Sequence, residues 1–204
     1  LEIRRGHLGD QHPEVATSRT SLGQSLSYQG QPAKAAEQFR AALASFEASL
    51  GASHPRVATA LTGLAGELSS LGQHAEALAL HRRALAIANP NTGDGRRQIG
   101  IIRNNIAGVL GDLGRRDEAL AEHRLVLELR EATLGADHPD VGQSLNNLGN
   151  TLVTVGRHAE ALAAFERAVA IKTRALGADH VSLAPSLVGI GQVHVETRHP
   201  QLAI

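Results

Sequence analysis

Eleven histidines, 20 carboxylates and no cysteine are the raw material for chemistry in this chain of 204 residues. Histidines invite a metal ion, whose ligands must converge within about 2 Å of one point. Their placement argues against it. His12, His54, His138 and His180 share one register of a 42-residue interval, so successive members sit at least a whole unit apart. His81 and His123 take the places held by Phe39 and Phe165 in the same register, which makes them packing residues. His74 and His158 form a third set, at the start of a helix, and His194 and His199 flank a predicted turn without any HExxH string. With cysteine absent, thiolate metal sites and disulfides are excluded, and no cofactor is expected.

Catalytic strings fail in the same way. A serine nucleophile elbow needs G-x-S-x-G, and Gly142-Gln143-Ser144-Leu145-Asn146 breaks at its last position and lies inside a helix. Gly93-Asp94-Gly95 is followed by no Gly-Lys-Ser/Thr, so it is not a phosphate loop. Glu160, Glu166, Asp117 and Glu118 fall on exposed helix positions suited to local ion pairs, the last two of these also meeting a helix dipole. No enzyme is expected.

The elements that carry these residues are set by the interval itself. Gly9, Gly51, Gly93, Gly135 and Gly177 stand 42 residues apart, and so do Leu22, Leu64, Ile106, Leu148 and Ile190. Gly30, Gly72, Gly114 and Gly156 keep the same phase, and three columns in register define a repeat array. The stretch Leu134 to Thr154, LGADHPDVGQSLNNLGNTLVT, is its clearest copy. Val141, Leu145, Leu148, Gly149 and Leu152 lie on one face of a helix, with Asp137 expected as N-cap, Pro139 in the first turn and Gly156 as the stop. A second helix is predicted from about His158 to Ala175, closed by Leu176 and Gly177. Small residues, Gly149 on the first helix and Ala161 and Ala168 on the second, let the two backbones approach while Leu148 and Phe165 fill the seam.

The expected organisation is a single array: residues 1–7 end a truncated unit, 8–49, 50–91, 92–133 and 134–175 are full units, and 176–204 is partial. Cut units at both ends, together with the absence of any Met, point to a piece of a longer protein. One junction breaks the pattern. Asn89 to Gln98, NPNTGDGRRQ, replaces LGxDHP; Pro90 should end the preceding helix early, and the segment reads either as a looser linker or as a hinge or contact loop exposing Arg96 and Arg97 to an acidic partner.

Composition bounds the partners. Aromatics make up 2% of residues, Phe39, Phe46, Phe165 and Tyr28, so the core rests on Leu, Ala, Val and Ile. Formal net charge is zero, which offers no field to draw nucleic acid or an anionic membrane. No apolar run approaches the roughly 20 residues of a membrane span and no signal segment opens the chain, so the cytoplasm is the expected compartment.

What survives is a polar stripe opposite the apolar face of each first helix. It comprises Gln143, Asn146, Asn147, Asn150 and Thr154 in the fourth unit and Thr17, Thr20, Ser21, Gln24 and Tyr28 in the first. The second unit supplies Thr59 and Thr62, the third Asn104, Asn105 and Asp112, and the last Gln192. A carboxamide offers two donors and an acceptor, so a row of them can pair with the backbone of an extended segment whatever its side chains. Gly63, Gly66, Gly108 and Gly111 on this face leave room for a bulky ligand side chain. The stripe carries few charges, which suits a neutral or mildly polar ligand more than a terminal carboxylate.

The small, large and small residues within LGxDHPxVAxxLNNLAxxxxxxGxxxEAxxxxxxALxI resemble the tetratricopeptide repeat, and the 42-residue unit is similar to the repeats of kinesin light chain. The resemblance runs from Leu1 to Ile204. It implies an all-α fold, a right-handed superhelical solenoid of helix-turn-helix repeats with the first helices on the concave face. It further implies that Asn104, Asn105, Asn146 and Asn147 contact peptide ligands, making the chain a protein-interaction scaffold. The alternatives are self-association through apolar ends at Leu1 to Ile3 and Leu202 to Ile204, or a spacer or substrate-recruiting array attached to a signalling enzyme domain.

Overall fold

The computed structural model of the chain describes residues 2–198. They form ten α-helices and a single 3-10 turn, with no strand among the described residues. Two compact units divide the chain. The first holds α1 (Glu2–Leu8), α2 (Pro13–Tyr28), α3 (Pro32–Leu50), α4 (Pro55–Ser70), α5 (His74–Ile87) and α6 (Gly93–Asp112). The second holds α7 (Arg116–Leu134), α8 (Pro139–Thr154), α9 (His158–Leu176), the 3-10 turn Val181–Leu183 and α10 (Ala184–Arg198). Among the described residues no helix is long and apolar enough to cross a membrane.

Helices α2 and α3, α4 and α5, and α8 and α9 pack as the hairpins that the periodicity predicts. Burial follows the small-residue columns: Ala35, Ala77, Ala161 and Ala168 are wholly buried, and in the second unit Leu145, Leu148, Phe165 and Ile171 close around them. Each helix end has a local cause. Gly9, Gly51, Gly135 and Gly177 hold φ between 80° and 96°, a region open to glycine at little cost, and so turn the chain out of a helix.

The N-cap of α8 is His138 and not Asp137. His138 is extended, and its Nδ1 accepts the backbone N–H of Asp140 at 3.2 Å. The same bond recurs from His12 to Glu14, from His54 to Arg56 and from His180 to Ser182, at 3.1 to 3.2 Å. An imidazole nitrogen two bonds beyond Cβ has the reach of an Asp or Asn oxygen, and a proline at the first helical position removes a donor that would otherwise be orphaned. The recurring histidine is therefore a structural cap. Asp137, freed of that task, accepts from Arg174 Nη1 at 2.6 Å.

Phenylalanine marks the tightest packing. Phe39 of α3 is slotted between Gly23 of α2 and Gly63 of α4, where β-carbons would lie 3.1 and 2.5 Å from its ring. Phe165 of α9 repeats this three intervals later between Gly149 of α8 and Gly189 of α10, at 2.6 and 2.5 Å. Where the register places Ala65 and Asn105 instead of two glycines, the intervening ring is His81, smaller than Phe and 1% exposed. Burial pushes His81 and His123 down to about 4, so both are neutral packing rings at pH 7.

The irregular junction shortens one helix and lengthens the next. Helix α5 does stop early, at Ile87 after 14 residues where α3 and α9 run to 19, as Pro90 requires. Helix α6, however, starts a turn early and spans 20 residues where α2, α4 and α8 span 16. Thr92 caps it, its Oγ1 accepting Gly95 N–H at 3.0 Å, and Gly93 is helical instead of turning the chain. Gly95 packs under the Asn89 carbonyl so closely that no β-carbon fits. Arg96 donates to the Pro90 carbonyl at 3.1 Å, which leaves Arg97 as the exposed arginine of the pair. Of the apolar ends expected to stack, Leu1 and Leu202 to Ile204 lie outside the described residues, as does His199; Ile3 is 79% exposed.

Candidate functional site

The extra turn of α6 builds a wall. In the first unit it rises beside α4, and between α2, α4 and α6 lies a groove of about 640 Å³. Gly63 and Gly66 of α4 form its floor, with the edge of Phe39 beneath. A β-carbon at Gly66 would meet nothing within 4 Å, so this glycine opens space, whereas Gly63 makes room for the Phe39 ring. Gln24 and Tyr28 border it on α2, and Asp94, Arg97, Gln98 and Ile101 on α6. Three neighbouring helices at about 9 Å spacing give an opening of about 20 Å. That holds about six residues of extended chain.

The groove gathers four of the expected stripe residues, Gln24, Tyr28, Thr59 and Thr62. Thr17, Thr20 and Ser21 lie on α2 outside its lining. The hydroxyls have a local occupation: Thr17, Thr20, Ser21, Thr59 and Thr62 each donate to the carbonyl four residues back, at 2.8 to 3.3 Å. They keep acceptor lone pairs and present methyl groups, and their donors are spent. Gln24, by contrast, is exposed.

The asparagine pairs depart from the expected solvent-facing stripe. Asn146 is 4% exposed, and its Oδ1 accepts from Ser186 Oγ of α10 at 3.0 Å, so it is a packing contact between two helices of the second unit. The element that covers it is α10, a first helix of the next repeat in the 42-residue register. Asn104 is half-buried with its Oδ1 sequestered, and Asn105 is half-buried at the register place of Gly63. Asn147 is half-buried and accepts from Gln143 Nε2 at 3.0 Å, while Asn150 is exposed. Gln143 Oε1 in turn accepts from Lys172 Nζ at 3.5 Å; that ammonium also donates to the Ser182 carbonyl at 2.9 Å and is pushed below the usual lysine value by burial. Gln192 is exposed and donates to Glu196 at 2.9 Å.

Sequence reasoning missed Glu67. Its register companions are Ser25, Val109, Thr151 and Val193, so a carboxylate replaces a residue that is otherwise small or apolar, and that mismatch was the available signal. Glu67 is 7% exposed and lines the groove. The carboxylates that the sequence did single out are engaged elsewhere: Glu160 accepts twice from Arg157 at 2.6 Å, which holds its carboxyl below the usual glutamate value, and Glu118 pairs likewise with Arg115. Among the described residues no three His, Asp or Glu side chains gather as metal ligands.

Comparison with known proteins bears on the whole chain. The model of the tetratricopeptide repeat family matches residues 1–48, 37–89, 98–174 and 153–204, leaving unmatched the eight-residue segment in which α6 gains its extra turn. A crystal structure of nearly identical TPR-like repeats from Podosopora anserina, described as kinesin light chain, superposes with a TM-score of 0.78 at 23% identity, over 94% of this chain and 91% of that one. BtubC (BKLC) from P. vanneervenii gives 0.77 at 21% identity over 93% and 75% of the two chains. The apo form of RapI gives 0.78 at 16% over 92% and 66%. These likenesses establish the fold, and no curated protein matches the sequence. The all-α hairpin architecture, the repeat columns and the family model agree: the chain belongs to the tetratricopeptide repeat family, with repeats like those of kinesin light chain.

Proposed function

We propose that this chain is a protein-interaction scaffold that holds an extended peptide segment in the groove of its first unit. The observation that carries the reading is the open glycine floor at Gly66 between two walls that present carboxamides, Gln24 on α2 and Gln98 on α6. An extended chain must satisfy a donor and an acceptor at every residue, and primary amides on both sides supply both. The volume is that of a pocket able to bury one or two side chains, and its length suits a short linear segment.

A displayed random-peptide library selected on the parent chain and on Gly66→Leu tests this. Leucine at 66 projects into open space and so fills the groove without disturbing the Phe39 slot. Peptides enriched on the parent and lost on the variant support the groove; peptides enriched equally on both overturn it.

A second reading rests on α10, where Leu187, Val188 and Val195 are 51%, 69% and 62% exposed. Three apolar side chains on the last described helix suit stacking against another copy. Mass that rises with concentration, and ceases to rise in Val188→Glu, is the expected signature.

A further inference from the structure

The groove's occupant can be specified further from one unpaired charge. Glu67 is 93% shielded from solvent, yet among the described residues no ion pair or hydrogen bond engages its carboxylate. Its side chain is covered, but its carboxylate oxygens are not among the buried atoms that lack a partner, so the water of the groove serves them and a ligand that displaces that water must replace it. Other partly covered glutamates in this chain are paired within the fold: Glu47 with Arg83 and Glu131 with Arg167. Glu67 stands apart from them by lining the groove, where a ligand can reach it.

On that basis, and granted the peptide groove proposed above, we infer that the groove of the first unit takes a peptide carrying a basic side chain, which enters over Gly66 and pairs with Glu67. The wall supplies a second carboxylate, Asp94, from the added turn of α6. Arg97 lines the same groove and opposes a cation. It is a single guanidinium, exposed and screened by water, against two carboxylates in the same lining, Glu67 and Asp94. Arginine is favoured over lysine. Its planar guanidinium bonds a carboxylate in a bidentate way and can lie against an exposed aromatic ring, and Tyr28, at 94% exposed, borders the groove. The apolar stem of the arginine would cover Ile101, exposed at 44% on the same wall.

The test uses the random-peptide library on the parent chain, Glu67→Gln and Gly66→Leu, followed by titration of one resynthesised peptide with its arginine kept or replaced by glutamine. Glu67→Gln preserves shape and removes a charge that nothing in the fold uses, and its thermal melt verifies folding. The expected result is enrichment of Arg or Lys at one position of the parent pool, absent from the Glu67→Gln pool. The arginine peptide should bind the parent about ten- to hundredfold more tightly than the glutamine peptide, with that preference lost in Glu67→Gln. Peptides that require the open groove, being lost on Gly66→Leu, but show no basic preference overturn this inference and leave the groove standing. Peptides indifferent to Gly66→Leu, or no peptides at all, overturn both.

Discussion

The ring of Phe39 lies against Gly63 so closely that a β-carbon at 63 would sit 2.5 Å from its Cε1, while one helical turn on, at Gly66, a β-carbon would meet nothing. Two glycines on one face of α4 thus do opposite things. Gly63→Ala must displace the ring and is expected to cost about 1–3 kcal/mol. Gly66→Ala removes backbone freedom from the unfolded chain at no steric cost and should stabilise by about 0.5–1 kcal/mol. Urea unfolding of the two variants reads both signs, and Gly63→Ala combined with Phe39→Leu should recover part of the loss. Equal effects from the two alanines would contradict the slot.

The histidine caps give a second prediction. His138→Ala leaves the Asp140 N–H at the start of α8 without its partner and is expected to cost about 0.5–2 kcal/mol, whereas His138→Asp, a strong cap, should cost little. Thermal melts of the pair decide it; if the two variants melt together, the imidazole is not acting as a cap.

The cap also shows how far sequence reaches. The 42-residue register located the helices, the hairpins and the small-residue seams, because those depend on which residue types recur. It did not tell that His138, and not the intrinsically better-suited Asp137, takes the cap, since the two differ only in which backbone dihedrals the turn from Gly135 imposes. Asn146 was misjudged for a related reason. Helical periodicity within one hairpin assigns it to the face away from the second helix, and its burial comes from the following repeat, whose Ser186 is 40 residues on. Glu67 and the added turn of α6 are departures from the repeat, and a reading built on recurrence is least informed where recurrence fails.

Asn146 and Ser186 make the third prediction. Ser186→Ala leaves a carboxamide oxygen buried without its donor and should cost about 1–3 kcal/mol, and Asn146→Ala should cost a similar amount. The double variant is expected to lose less than the sum, because removing both partners leaves no orphan. Strict additivity in a urea-unfolding cycle would show that the bond contributes nothing.

A pH dependence follows from the two buried rings. His81 and His123 stay neutral in the folded chain down to about pH 4, while in the unfolded chain each takes up a proton below about 6.5. The unfolded state thus binds more protons as pH falls through this window, so stability is lost from about 6.5 down to about 4, and neither ring adds further loss below that. Between pH 7 and pH 5 each is expected to remove about 1–2 kcal/mol. His81→Leu takes away the titrating ring and an Nδ1 that is buried without a partner. It should therefore flatten the decline by about half while leaving the chain at least as stable at pH 7. Urea midpoints of the parent and His81→Leu at pH 7, 6 and 5 give the two slopes. Parallel slopes would mean that the ring is hydrated in the folded chain and that its burial is transient.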